Sequence, residues 1–341
     1  MTFLPTDHDV SSDKYIDLDY YGCDTCGCVQ LKKLLDPNIL YGVAHNMTYN
    51  TPIWKEHHSQ FSNFIYTRKQ SNEIIEVGGY SGVLAKHLTQ KDKDIHYTIL
   101  DMCDTDPMIE NVKFINHNCE TYNFQEDTIV VMSHVFEHLY EPSNFIKNLK
   151  ENNVTNVFIS IPDMTAQVEN KGIPIVQQEH TFFCDYNDIV YLFSKEGYAC
   201  DSSYSYKNHS LFFHFIKSDG VISNYKFNKN RVIDYYATYQ HNDTVISSIK
   251  DIEEPFFIVP GGLYGQVIYY FLKNKKNLLG FLDNDPSKIG KRLYGTANYI
   301  FKMDEIKNYD NITLLIYNGP YTEEIISQLN EYNKNIKYIQ V

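Results

Sequence analysis

The sequence predicts an α/β protein: a mostly parallel sheet through the middle of the chain, then a second, smaller α/β unit. Three observations carry this. From Glu73 to about Ser218, the short β-rich runs "EIIEV", "HYTILD", "VKFIN", "TIVVMS" and "NVFISI" alternate with helical patterns, as parallel strands joined by crossover helices do. The next two runs, "ACDSSYSYK" and "HSLFFHFIKSD", follow each other closely and predict a β-hairpin added to the sheet edge. After Pro255, "PFFIVPGGLYGQVIYYFLKN" again gives strand, glycine turn and helix, with "NLLGFLDNDP" and "NITLLIYNGP" as further strands.

The boundaries follow in order. Residues 1–65 form an irregular segment holding "GCDTCGC", residues 66–220 the central domain, residues 221–254 a helical linker and residues 255–341 the C-terminal domain. The linker rests on helical spacing at Val232, Tyr235, Tyr236 and Tyr239. A chain of 341 residues suits two or three compact units. Its net charge of -13 argues against a nucleic-acid partner, which needs clustered Lys and Arg. No apolar run suggests a membrane span, and the polar, acidic N-terminus does not look like a secretory leader. Seven cysteines, an odd count with three bunched, do not form a secreted disulfide framework. A cytoplasmic protein acting on a small molecule is the expectation.

The central domain opens with "EIIEVGGYSGVLAKHL", where Glu76, Gly78 and Gly82 give E-x-G-x-x-x-G at a strand-to-helix turn. Glycines there let a ligand approach the backbone, and the spacing differs from the dinucleotide pattern. The next strand ends in "ILDMCD", placing Asp101 at its carboxyl end, where an acid can hold two ribose hydroxyls. "VVMSHVFEHLYEP" puts Ser133 and His134 at the end of the fourth strand, with "FEHLYEP" starting the following helix. A polar strand end is the plain alternative for His134, and a structural role is the reading taken for His138.

Together "EVGGYSG", "LDMCD", "SHVFEHL" and the closing "SLFFHFIK" resemble class I S-adenosylmethionine-dependent methyltransferases over residues 70–218. That fold is Rossmann-like, a seven-stranded sheet with an antiparallel last strand. The resemblance implies S-adenosylmethionine as cofactor. It implies that Gly78, Gly79 and Gly82 line its methionine part, Asp101 holds its ribose, Met102 packs on the adenine and Asn118 stands near the adenine amine. Asn116 and Cys119 are the alternatives to Asn118, and Glu76 and Ser133 complete the set.

The ends narrow the likeness. "YYGCDTCGCVQLKKLLDPNILYG" resembles the N-terminal segment of the sugar C-methyltransferases, where C-x-x-C supplies half of a zinc site. "IVPGGLYGQVIYYFL" with "GFLDNDPSKIGKRLYGT" resembles that family's Rossmann-like C-terminal domain. The family methylates carbon 3 of nucleotide-linked 4-keto deoxysugars, which implies a nucleotide-linked sugar as the small-molecule partner. Zinc wants four ligands, and Cys23 and Cys26 have only His8 and a badly spaced Cys28 to recruit. A remnant without metal is therefore expected. In the C-terminal domain Gly261, Gly262, Gly265 and Asp283 mimic a nucleotide crevice. Lys288, Lys291 and Arg292 form a positive patch that either meets a phosphate or is a solvated loop.

Methylating carbon requires an enolate, hence a general base with a pKa near the working pH and a donor for the oxygen. In the sugar C-methyltransferases a Tyr-x-Glu-His run after the fifth strand has these roles. "QQEH" stands there: Glu179 and His180 match, and Gln177 replaces the tyrosine. A glutamine donates a hydrogen bond but passes no proton, so an acid/base function is missing or comes from elsewhere. "WKEHHSQFSNF" offers His57, His58 and Ser59 as substrate-binding candidates; a surface helix with solvated histidines is the alternative. The other functions open at this point are O- or N-methylation of a sugar or other metabolite, and a non-catalytic binding module.

Overall fold

The computed structural model describes residues 5–37, 40, 52–103, 106–172, 177–218, 225, 227–249, 251–319 and 322–341. They divide into two compact units, each built from separated stretches of chain. One comprises Tyr20–Ala166 and Glu179–Val232; the other comprises Met1–Asp19, Gln167–Gln178 and Ile233–Val341. Elements are numbered along the whole chain. Among the described residues no helix is long and apolar enough to cross a membrane.

The first unit holds the seven-stranded sheet. Strands β4 (Glu73–Val77), β5 (His96–Asp101), β6 (Val112–Asn116), β7 (Ile129–Ser133) and β8 (Asn156–Pro162) run parallel. The hairpin of β10 (Tyr198–Tyr206) and β11 (Ser210–Lys217) closes the edge, with β11 antiparallel to β8. The order β10-β11-β8-β7-β4-β5-β6 is the class I arrangement expected from the sequence. Alternating side chains feed two cores. Ile75, Val77, Val130 and Met132 pack with Phe145, Ile146 and Leu149 of α3 (Pro142–Glu151) and with Ile189 and Phe193 of α5 (Tyr186–Lys195). Ile74, Ile129, Val131 and Phe158 meet Leu84, Ala85 and Leu88 of α2 (Val83–Lys91) on the other face.

Strand register sets the functional edge. Val77 lies beside Leu100 and Met132, and Ser133 beside Ser160, so these strands end at one level. The antiparallel β11 starts there too, with Ser210 opposite Pro162. A small sheet of β2 (Tyr20–Gly22), β3 (Val29–Leu31) and β9 (Phe182–Phe183) braces the segment after Glu179 and His180.

Two local expectations change. From Pro52, the segment expected to be irregular forms the helix α1 (Pro52–Tyr66), with His57, His58, Phe61, Phe64 and Ile65 on its buried side. Histidines supply part of that face, which hides its apolar period from a sequence pattern. "FEHLYEP" does not start a helix directly: Phe136–His138 is a 3-10 turn, and α3 begins at Pro142. Proline at the first helical position explains that start, since its missing N–H and fixed φ suit it.

The second unit is a parallel sheet of order β15-β13-β12-β16-β17: β12 (Phe256–Val259), β13 (Leu278–Asp283), β15 (Ile300–Lys302), β16 (Ile312–Ile316) and β17 (Ile336–Gln340). Helices α7 (Leu263–Phe271) and α8 (Thr322–Tyr332) belong to it. The short β1 (Pro5–Thr6) pairs with β14 (Arg292–Leu293). The positive patch expected here is corrected. Arg292 is buried and grips both oxygens of Asp13, and Lys288 pairs with Asp283 at 2.9 Å. Two of its three cations are thus engaged within the fold. The remaining helices are α4 (Met164–Glu169) and α6 (Arg231–Ser247).

Candidate active site

The glycine turn between β4 and α2 is shaped by close neighbours. Gly78 has φ +70°, and a Cβ there would come within 2.5 Å of Val135. Gly82, at φ +63°, would collide with Ile109 at 1.8 Å. Both positions demand glycine for conformation and for space. Across the turn the Asp101 carboxylate accepts the N–H of Tyr80 at 3.0 Å and of Cys103 at 2.8 Å. Carboxylate oxygens accept more than one hydrogen bond each, so ribose hydroxyls can share them.

Glu76 lies beneath this turn. It is buried, accepts the Tyr97 hydroxyl at 2.9 Å, and its carboxyl fills the space a Gly79 Cβ would need. Burial pushes its pKa up to about 7. Met102 is half-buried in the loop after β5, which Asn116 ties down by donating to the Met102 and Cys103 carbonyls at 2.9 and 2.7 Å. The Asn118 side chain caps the next turn by accepting the Glu120 N–H at 2.9 Å. Ser133 Oγ, at the end of β7, is buried with no hydrogen-bond partner among the described residues. A buried hydroxyl in that state fits a site that a ligand completes.

Beyond Ser133 the chain turns through His134 in the left-handed region, φ +54°. This places the ring among others: Trp54, His57 and His209 lie 4.8, 5.2 and 5.8 Å away, centroid to centroid. Ser210 Oγ joins two of them, at 2.8 Å from His134 Nε2 and 2.7 Å from His209 Nδ1. His57 Nε2 meets Ser160 Oγ at 2.9 Å. Burial drives His57 and His134 well below the usual imidazole pKa and His209 to about 4, so these rings are neutral near pH 7. His58 instead bonds its own helix at the Trp54 carbonyl, 2.8 Å, and Ser59 is half-buried on α1. The chain thus brings His57 to His134.

His180 sits where two backbone bonds and a strand pairing hold its segment: Thr181 N–H donates to the Glu137 carbonyl at 3.0 Å, Leu31 N–H to the Thr181 carbonyl at 3.0 Å, and β9 pairs with β3. Its ring lies 4.9 Å from His138 and is held well below the usual pKa by burial. Glu179 beside it is buried, its pKa pushed up to about 8. Gln177 and Gln178 belong to the other unit, where Gln178 is buried and donates to the Asp17 carbonyl at 3.1 Å.

Glu137, absent from the sequence-derived set, stands between the histidines. Its Oε1 lies 3.6 Å from His134 Nδ1 and 4.0 Å from His180 Nε2, and burial raises its pKa to about 8. His209 was missed as well. One is the acid of "FEHL" and the other the turn residue of "KNHS", and neither carries a pattern that sets it apart from a polar loop.

The cysteines divide. Cys23 is pulled below the usual thiol pKa by the N–H groups of Cys26 and Thr25, and burial pushes Cys26 up to about 11. Among the described residues neither belongs to a group of three potential metal ligands. His8 falls in the other unit. Cys28 faces inward, its sulfur 3.8 Å from that of Cys184, with Asp188 close by.

Residues 50–202 match the family model of a methyltransferase domain. Among curated proteins none matches the chain. One similar solved structure is the magnesium protoporphyrin IX methyltransferase of Synechocystis PCC 6803 with bound S-adenosylhomocysteine, at 12% identity and a TM-score of 0.40. The similarity covers 52% of this chain and 89% of that one. Another is the plantazolicin methyltransferase with a desmethyl analogue and S-adenosylhomocysteine: 12% identity, TM-score 0.38, 49% of this chain and 84% of that one. The turn built on Gly78, Gly82 and Asp101 lies within the stretch that matches the methyltransferase-domain model.

Proposed function

We propose that the chain methylates a carbon next to the ketone of a nucleotide-linked sugar, with His180 as the base. The observation that carries this reading is the shared loop of cradle and proton-handling groups. Val135, against which Gly78 packs, is flanked by His134 and lies two residues from Glu137, which in turn adjoins His180. A methyl donor held at the turn would supply an electrophilic methyl group to an electron pair aligned with it. The protein's task is to create that pair by removing a proton, and a neutral imidazole can accept one. Burial keeps the nearby Glu137 and Glu179 carboxyls protonated near pH 7, so Glu137 can exchange a proton with the imidazolium that results rather than pair with it as an anion. Asp101 would orient the cofactor's ribose, with Gly78, Gly79 and Gly82 lining its methionine part, Met102 on the adenine and Asn118 near its amine.

Gln177 supports a second reading. An amide can hold an enolate or a hydroxyl by hydrogen bonding but cannot deliver a proton, so transfer to oxygen or nitrogen is the alternative. One experiment separates the two: supply S-adenosylmethionine and a panel of nucleotide-linked 4-keto deoxysugars in D2O. Carbon methylation predicts deuterium exchange beside the ketone and a C-methylated product. His180→Ala then removes both while cofactor binding by calorimetry stays unchanged. A methylated oxygen or nitrogen without exchange would sink the proposal.

A further inference from the structure

Resting on His180 as the base, we propose that Glu137 is a proton-relay residue that links His180 to His134 and replaces the acid/base function missing at Gln177. The geometry is a continuous line of exchangeable groups in one unit. His180 Nε2 lies 4.0 Å from Glu137 Oε1, which lies 3.6 Å from His134 Nδ1. His134 Nε2 then meets Ser210 Oγ at 2.8 Å, and Ser210 Oγ meets His209 Nδ1 at 2.7 Å. Neither carboxyl oxygen of Glu137 has a hydrogen-bond partner among the described residues, although the residue is only 4% exposed. A buried carboxyl in that state is costly unless something completes it. A proton shared in turn with two imidazoles does so. The two gaps exceed hydrogen-bond length, as catalytic contacts do before substrate tightens them.

The step balances. One ring nitrogen of His180 takes the proton from the acceptor carbon, and the C–H electron pair becomes the enolate. Glu137 Oε1 gives the proton it carries to His134 Nδ1 and takes the Nε2 proton of His180 in its place. The enolate pair forms the new carbon–carbon bond to the methyl group, and the pair of the broken sulfur–carbon bond stays on sulfur. One proton is released in total. The titratable groups around this line are His138 on the same turn, Glu179 next to His180, and His57 and His209 around His134.

The test uses the full chain and Glu137→Gln, which keeps shape and cannot ionise, with Glu137→Asp as the conservative variant. Two readouts are needed. Without any acceptor, histidine 15N NMR follows the titration of His134 and His180. With the acceptor, deuterium exchange and methyl transfer are timed. A relay predicts that Glu137→Gln shifts both histidine titrations and slows exchange by about 10- to 100-fold, with S-adenosylmethionine affinity within about twofold. Glu137→Asp should recover part of the rate. Unmoved titrations, an unchanged exchange rate, or an Asp variant no better than Gln would each overturn the relay. So would stoichiometric uptake of Co2+ alone that Glu137→Gln abolishes, because ligand atoms of Glu137, His138 and His180 lie within 4.8 Å of one another and the carboxyl would then be a ligand. If the wild type exchanges no acceptor carbon, the carbon-methylation reading fails, and the histidine titrations alone decide the relay.

Discussion

Both units carry a strand, a glycine turn and a helix, and the two turns differ in what stands across from them. At Gly78–Gly82 the acid of the next strand, Asp101, is met by the backbone N–H groups of Tyr80 and Cys103. At Gly261–Gly265 the matching acid, Asp283, holds Lys288 at 2.9 Å, and that ammonium lies 3.6 Å from where a Gly262 Cβ would stand. The second turn holds a counter-charge of its own, and the first holds its acid with the backbone donors of Tyr80 and Cys103. The same local pattern thus stands against different neighbours in the two units, an internal ammonium in one and backbone N–H groups in the other.

Glycine replacement should separate the turns most sharply. Gly82→Ala places a Cβ 1.8 Å from Ile109 at a left-handed backbone. It should cost about 2–4 kcal/mol and abolish cofactor binding. Gly262→Ala, at φ -157° with nothing nearer than Lys288 Nζ at 3.6 Å, should change stability by less than about 0.5 kcal/mol. Thermal unfolding of both variants, with calorimetric titration of S-adenosylmethionine, checks the pair. Equal effects would erase the distinction.

The acids come next. Asp101→Ala should weaken S-adenosylmethionine binding by about 10- to 100-fold, the scale of one or two hydrogen bonds to a charged acceptor. Asp283→Ala should leave that affinity unchanged, and a loss there would show that the second turn also matters to the cofactor.

A pH dependence tests the buried acid beneath the first turn. Glu76 has its pKa raised to about 7, and Glu137 and Glu179 to about 8, all by burial. The folded chain keeps protons that an unfolded one releases from about pH 4.3 upward. The stability these groups contribute is therefore greatest below that point, falls as pH rises towards 7–8, and changes no further above. Each raised unit corresponds to about 1.4 kcal/mol. Glu76→Gln should flatten the part of the slope below about pH 7. Denaturant titrations at several pH values would show this, and an unaltered slope would count against a buried acid under the first turn.

What was legible followed from periodicity and spacing. Alternating β-rich runs and helical patterns are local, so the order of strands and the closing hairpin came from sequence alone, as did the positive-φ glycines and Asp101 at its strand end. Helix α1 was legible only as an alternative, a surface helix with solvated histidines, because His57 and His58 occupy its buried face, where patterns expect aliphatic residues. Arg292 suggested a phosphate patch, yet it pairs with Asp13, 279 positions away in sequence. No local signal reports such a partner.

"QQEH" shows the same division. Its residue types and its place after the fifth strand are sequence properties, and they suffice to nominate His180. Its surroundings are not. The backbone clamp from Leu31 and Glu137, the histidine ring beside it and the buried Glu137 carboxyl come from stretches far apart in the chain. Burial and the distances between groups set protonation, and both exist only once the strands have brought those stretches to one edge.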